Sequence, residues 1–210
     1  MSFLKGISEI EISDIEKADG RKIHFSNADL KMTELNPAIE DKYFPQFTYL
    51  GKSSFLENYL GSLNRDPKVT KMPKEVAYVL GPETCEKYFI KKWEEKLGPN
   101  IAKMFRDACA KVFDEDNSIF FEVDGVPIGG VCIQKEDFCE FPKLDIIRWV
   151  WVEQNLPIEI KLGVHAAITE GILGMVGENV AGGIFSHNIP SIKIAEKLGF
   201  RIRCATFLPY

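Results

Sequence analysis

The sequence has few of the residues that mark a metal centre or a nucleic-acid-binding surface. It contains three histidines and five cysteines in 210 residues, and 31 Asp and Glu outnumber 26 Lys and Arg, which gives a net charge of −5. No His or Cys pair has the spacing of a zinc site, so we expect no bound metal. The negative charge argues against nucleic acid as a partner, because phosphate-binding domains carry an excess of basic residues.

Long apolar runs and regularly spaced cysteines are also missing. No stretch reaches the roughly 20 apolar residues of a membrane-spanning helix, and residues 1–9 lack the basic start and apolar centre of a secretion signal. An odd number of scattered cysteines favours free thiols in a reducing compartment. We therefore expect a cytoplasmic protein that does not contact a membrane. The cysteines are Cys85, Cys109, Cys132, Cys139 and Cys204.

The pattern of strand-like and helix-like segments is less regular in residues 1–74 than in residues 75–210. Residues 1–74 are rich in aromatic side chains, such as Phe44 and Phe47, which argues against disorder. Strand-like and helix-like segments follow one another more regularly after Pro73. We predict an N-terminal extension packed on the core over residues 1–74 and a single α/β domain over residues 75–210.

The domain shows several turn and helix-end signals. Asp124-Gly125 predicts a tight hairpin turn, because Gly tolerates the positive φ that such a turn requires. Gly98-Pro99 predicts the end of one helix, and Asn100 the start of the next. Gly163 is expected to open a later helix. The predicted strands are 75–80, 118–123, 126–134, 144–152, 180–186 and 201–208, and the predicted helices are 84–97, one from Asn100, one from Gly163 and one that ends at Gly199.

The most informative segment is residues 188–200, which read NIPSIKIAEKLGF. A strand, an Asn, one amphipathic helix ending in Leu-Gly-Phe and a final strand resemble the last third of the GCN5-related N-acetyltransferase (GNAT) superfamily. The order of the elements before this segment is similar as well. The resemblance implies a mixed α/β fold, in which helices flank a mostly antiparallel sheet that contains one splayed pair of parallel strands.

The resemblance also implies a binding site for acetyl-coenzyme A or another acyl-coenzyme A as co-substrate. The cofactor is expected to enter between the strands at 146–152 and 180–186 and to place its pyrophosphate on the free amides of the following helix. Asn188 is equally well explained as a helix N-cap alone or as a cap that also contacts the cofactor. The cofactor-binding residues implied are Val150, Val152, Lys161, Gly163, Val164, His165, Asn188 and Ser191.

The sequence departs from the family at two places. The phosphate loop over residues 160–166 keeps only Gly163 of its expected glycines, and Ala195 stands where many members have a Tyr acid. His187 is the first substitute for that acid, since imidazole titrates near neutral pH. Glu153 is the first candidate for the base that deprotonates the amine.

The leading hypothesis is therefore an N-acyltransferase that moves an acyl group from coenzyme A to a small-molecule or peptide amine by direct attack. The alternative is a GNAT-like protein of viral or phage type that has lost catalysis and serves in structure or binding. A nucleobase or nucleic-acid acceptor is a third reading, which the negative charge disfavours. Each reading is compatible with a homo-oligomer.

Overall fold

A computed structural model describes residues 7–25, 35–113, 116–138 and 141–210, which form one eight-stranded sheet with helices on both faces. The order of strands across the sheet is β1-β8-β2-β7-β6-β5-β4-β3. The β6–β7 pair is parallel, and the other described pairs are antiparallel. The strands are β1 Lys22–His24, β2 Tyr43–Lys52, β3 Thr70–Lys71, β4 Ser118–Val123, β5 Val126–Phe138, β6 Phe141–Val152, β7 Asn179–Phe185 and β8 Arg201–Pro209. This is the mixed, mostly antiparallel sheet that the sequence predicts.

The helices form two layers. Side chains of α3, α6 and α7 pack with the N-terminal helices in the main hydrophobic core on one face, and α4 and α5 cover the aromatic residues of the other face. The helices are α1 Ile12–Lys17, α2 Pro37–Glu40, α3 Ser53–Leu60, α4 Lys74–Cys85, α5 Lys91–Val112, α6 Ile158–Leu173 and α7 Ile189–Lys197, and a π-helical turn, Glu86–Ile90, joins α4 to α5. The site described below lies between the two layers.

Residues 75–80 form part of α4 and not the strand that we predicted. A short apolar run has no periodicity that separates a buried strand from a buried helix. The helix continues through Gly81 and Pro82 to Cys85. Gly81 allows α4 to pack closely on Phe113, since a Cβ built on Gly81 would clash with the Phe113 ring.

The turn and helix-end signals are confirmed. Asp124 and Gly125 both have positive φ between β4 and β5, as a primed hairpin turn requires. Gly98 has φ 71° and interrupts the helical backbone of α5, and Gly199 follows α7 with φ 93°. These features depend on local backbone sterics, which the sequence determines directly.

Strand β2 lies inside the sheet, although it belongs to the stretch that we expected to form an extension on the core. It pairs with β7 through Gln46–Lys52 and with β8 through Tyr43–Leu50. Phe47 and Tyr49 are fully buried on the face that carries α6 and α7. A segment from residues 1–74 therefore completes the sheet of residues 75–210.

Cys85 and Cys109 form a disulfide that links α4 to α5. The expectation of free thiols is therefore wrong for this pair, because the turn between the two helices brings together cysteines that are 24 residues apart. Cys132 and Cys204 are buried, and Cys139 lies outside the described residues. Within the described ranges, no helix combines the length and the apolar character needed to cross a membrane.

We expect Phe47→Ala to lower the free energy of unfolding by about 3–5 kcal/mol, because it removes a ring from a closely packed interior. The matched control is Val126→Ala at a strand position that is 61% exposed, where a change within about 0.5 kcal/mol is expected. Urea unfolding followed by circular dichroism gives both values. Equal effects of the two substitutions would contradict an internal position for β2.

Candidate active site

Strands β6 and β7 separate after a short parallel ladder. The pairs are Asp145 with Val180, Ile146 with Ala181 and Ile147 with Gly182. Strand β6 continues for five residues beyond Ile147, and β7 continues for three beyond Gly182. A slot therefore opens in the sheet between β6 and β7. The edges of the two strands that face each other across it are not paired.

A β-bulge in β6 accounts for this separation. Cys132 of β5 pairs with Trp149, whereas the next residue, Ile133, pairs with Ile147. Arg148 is therefore an extra residue in β6. A bulge bends its strand and increases the local twist, and this one lies where the pairing with β7 ends.

The slot opens into a cavity of about 630 Å³ that reaches both faces of the sheet. This volume is typical of small-molecule sites. On one face the lining comes from α3, α6 and α7, and on the other it comes from α4, α5 and Phe113. A molecule in the slot could therefore touch a second molecule that enters from the opposite face.

Helix α7 presents polar groups to the cavity at its first turn. The Asn188 side-chain oxygen accepts a hydrogen bond from the Ser191 amide at 3.4 Å, so Asn188 is the N-cap. Pro190 occupies the first turn, where its missing N–H costs nothing. Asn188 and Ser191 both line the cavity, and the cap uses only the oxygen of the carboxamide. The amide nitrogen thus remains suited to donate to a ligand.

Helix α6 begins five residues earlier than predicted. It starts at Ile158, and the Lys161 amide already donates to the Pro157 carbonyl at 2.9 Å. Gly163 and Val164 therefore lie in the second turn, where the backbone amides donate to carbonyls of the helix itself, and the free amides of α6 lie one turn earlier than the prediction placed them. A Cβ on Gly163 would lie 2.5 Å from the Asp66 side chain, so this glycine allows close packing of α6 on the loop before β3.

His165 and Val150 line the cavity, as Asn188 and Ser191 do. Burial lowers the pKa of the His165 imidazole below its ordinary value, and the positive charge of Lys161 one turn away lowers it further. His165 is therefore neutral near pH 7 and can accept a proton. Four other predicted cofactor contacts lie outside the cavity lining, namely Val152, Lys161, Gly163 and Val164.

The two predicted catalytic groups also lie outside the lining. Burial alone would raise the pKa of the Glu153 carboxyl, but hydrogen bonds from Tyr88 and from the amides of residues 154 and 155 outweigh it, so that pKa is lowered. The His187 ring stacks on Phe44 at 5.1 Å, and its Nδ1 lies 3.0 Å from the Ser186 hydroxyl. Glu153 and His187 thus follow the ends of β6 and β7 and do not line the cavity.

Tyr49 is the most informative lining residue that sequence reasoning missed. It pairs with Gly182 at the base of the slot, and its hydroxyl donates to Glu196 at 3.3 Å. Burial raises the pKa of Tyr49, and the negative charge of Glu196 raises it further, so the hydroxyl stays protonated. No local signal identifies Tyr49, because its place in the site depends on the pairing of β2 with β7.

The splayed parallel pair, followed by α7 and β8, agrees with the GNAT-like fold that the sequence resemblance implies. A scan against protein-family models and a search of curated proteins give no match. A conserved protein of unknown function from Staphylococcus epidermidis is similar in structure, with a TM-score of 0.51 and 15% identity over 89% of this chain and 69% of that chain.

Two proteins described as GNAT proteins are similar at a lower level. A tandem GNAT protein from the clavulanic acid biosynthesis pathway has a TM-score of 0.47 and 12% identity over 79% of this chain and 52% of its own. A GNAT-family acetyltransferase from Colwellia psychrerythraea has a TM-score of 0.48 and 12% identity over 81% of this chain and 59% of its own. The chain therefore spans little more than half the length of these two.

The lowered pKa of His165 predicts a pH dependence of stability. The unfolded chain takes up this proton near the ordinary pKa of about 6.5, while the folded chain takes it up only at lower pH. The contribution is therefore fully present above about pH 6.5 and decreases as the pH falls below it. Stability curves of the wild type and His165→Gln between pH 5 and 8 should diverge on the acid side. Parallel curves would contradict the burial of His165.

Proposed function

We propose that the chain is an N-acyltransferase that moves an acetyl or related acyl group from acyl-coenzyme A to an amine. The observation that carries the proposal is the slot beyond Ile147 and Gly182, which joins cavities on both faces of the sheet. Two substrates can meet there without a covalent enzyme intermediate. Holding both in reacting positions replaces a collision in solution, which accounts for much of the rate of such reactions.

The acyl-coenzyme A arm fits the face that carries α6 and α7. Backbone groups of β6 near Val150 form an unpaired strand edge, and Val150 itself is 48% exposed beside the slot. Asn188 and Ser191 would contact the arm from α7. The pyrophosphate would lie one turn earlier than predicted, at the free amides of Ile158–Ile160, with Lys161 close by. The exposed Glu159 side chain can point away from it.

The thioester supplies an activated acyl carbon, and the chain supplies position and a proton acceptor. An amine attacks as its neutral form, so a proton must leave it before or during the attack. His165 lines the cavity and is neutral at pH 7. We assign it this role in place of Glu153. Tyr49 donates its single O–H to Glu196 and Ala195 has no hydroxyl, so neither residue supplies a proton to the leaving sulfur.

We expect Gly182→Val to abolish acetyl-coenzyme A binding while the protein stays folded. A Cβ on Gly182 would lie 3.9 Å from Ile147, an ordinary contact, so the new side chain can enter the slot without moving the backbone. Isothermal titration with acetyl-coenzyme A gives the affinity. Gly174→Val is the control, because Gly174 lies at the end of α6, outside the cavity lining. The wild type failing to bind at high protein concentration would sink the proposal.

Substitutions of Asn188 separate its two roles. Asn188→Asp keeps a good N-cap but removes the amide donor, and Asn188→Ala removes both. We expect Asn188→Asp to keep the melting temperature and to weaken acetyl-coenzyme A binding by roughly tenfold, the size of one hydrogen bond to a charged or polar ligand. Asn188→Ala should also lose about 1 kcal/mol of stability. If Asn188→Asp binds acetyl-coenzyme A as tightly as the wild type, Asn188 acts only as a helix cap.

A catalytically inactive binding protein is the second candidate. Its support is that Glu153 and His187 lie outside the cavity lining and that Ala195 lacks a hydroxyl. This candidate predicts neither a complex with coenzyme A nor turnover. Release of free thiol from acetyl-coenzyme A in the presence of an amine distinguishes the two.

A further inference from the structure

The half of the cavity on the α4 and α5 face is walled by apolar side chains. We call this half the acceptor chamber. Its walls are Phe105, Ala108 and Val112 of α5, Phe113, Trp149 of β6 and Phe185 of β7. The disulfide of Cys85 and Cys109 joins the two helices at the same wall. An acceptor in this chamber must bury much of its surface against carbon atoms.

Aromatic rings dominate the chamber, and they meet edge to face. Phe113 and Trp149 have centroids 5.2 Å apart at 87°, and Phe105 and Phe185 have centroids 5.1 Å apart at 84°. Phe185 also packs on Phe44, and Trp149 also packs on Phe120 and Trp151. The rings therefore form a fixed apolar wall against which a further aromatic ring packs favourably. The shape and chemistry of the walls thus select a ring or a branched apolar group.

Charge in the cavity is sparse and already paired. Glu136 is the one carboxylate that lines the cavity among the described residues, and it forms an ion pair with Arg148 at the bulge. Gln134, next to it, donates to the Val112 carbonyl at 3.5 Å. A polycation would bring several ammonium groups into a chamber whose one carboxylate is already paired with Arg148. Each unpaired ammonium would lose its hydration without gaining a counter-charge. An acceptor with a single amino group avoids this cost.

We propose that the acceptor is an arylalkyl primary amine, with its ring in the acceptor chamber and its nitrogen directed to the slot. This inference rests on the proposed acyltransferase function. The amine nitrogen forms a bond to the acyl carbon while the bond between that carbon and sulfur breaks. The proton lost by nitrogen passes through the base to the coenzyme A thiolate, so that the products are the amide and free coenzyme A.

The test is a comparison of acceptors on the full chain with acetyl-coenzyme A, read out as thiol release. Phenethylamine is the probe, and spermidine is the polycationic comparison. We expect kcat/KM for phenethylamine to exceed that for spermidine by at least about tenfold, the discrimination that a well-packed apolar contact provides. A preference for spermidine, equal rates, or no transfer to phenethylamine would overturn the inference. Separate titration with acetyl-coenzyme A tests the proposed function, which falls if the coenzyme does not bind. Binding together with thiol release for spermidine alone overturns only the choice of acceptor.

A substitution in the wall tests the location of the ring. Ala108→Leu extends a side chain into the chamber from a position on α5 where Leu is a good helix former. We expect kcat/KM for phenethylamine to fall about tenfold and the affinity for acetyl-coenzyme A to stay unchanged. Lys111→Leu is the control, because Lys111 is exposed on the same helix and lies outside the cavity lining. Equal activity of Ala108→Leu and the control would contradict a ring bound in this chamber.

Discussion

The extra residue in β6 is the constraint on which the rest of the site depends. Because Arg148 has no partner in β5, the strand bends at the point where its ladder with β7 ends. A continuous ladder from Ile147 to Val152 would close the slot and separate the two faces of the sheet. The same residue carries the guanidinium that neutralises Glu136 in the cavity. One insertion thus determines both the opening and the charge beside it.

The local part of the architecture could be predicted from the sequence. The cap at Asn188, the positive φ of Gly199 and the turn at Asp124 depend on a few neighbouring residues, and the order of elements from β4 to β8 follows from them. The start of α6 could not be placed, because Gly163 resembles a helix opener until its contact with Asp66 is known. The helical state of residues 75–80 likewise depends on packing against β4 and not on periodicity.

Only part of the candidate site could be predicted from the sequence, because the rest depends on tertiary packing. Asn188 and Ser191 could be singled out because they belong to the segment 188–200, which also contributes to the cavity lining. The acceptor chamber is assembled from α5, β6 and β7, whose side chains are far apart in sequence. Tyr49 enters the site from a strand of the first third of the chain. Contacts of this kind carry no signature in a single sequence, and they determine which group can accept or donate a proton.

The internal position of β2 has a consequence for how the chain acquires its structure during synthesis. The ribosome makes Tyr43–Lys52 long before both of its neighbours in the sheet, β7 and β8. Its buried aromatic side chains therefore have no final partners until β7 and β8 have been synthesised. Pairing across so long a separation is slow. Until those strands have been made, the nascent chain exposes an apolar strand that is prone to aggregation.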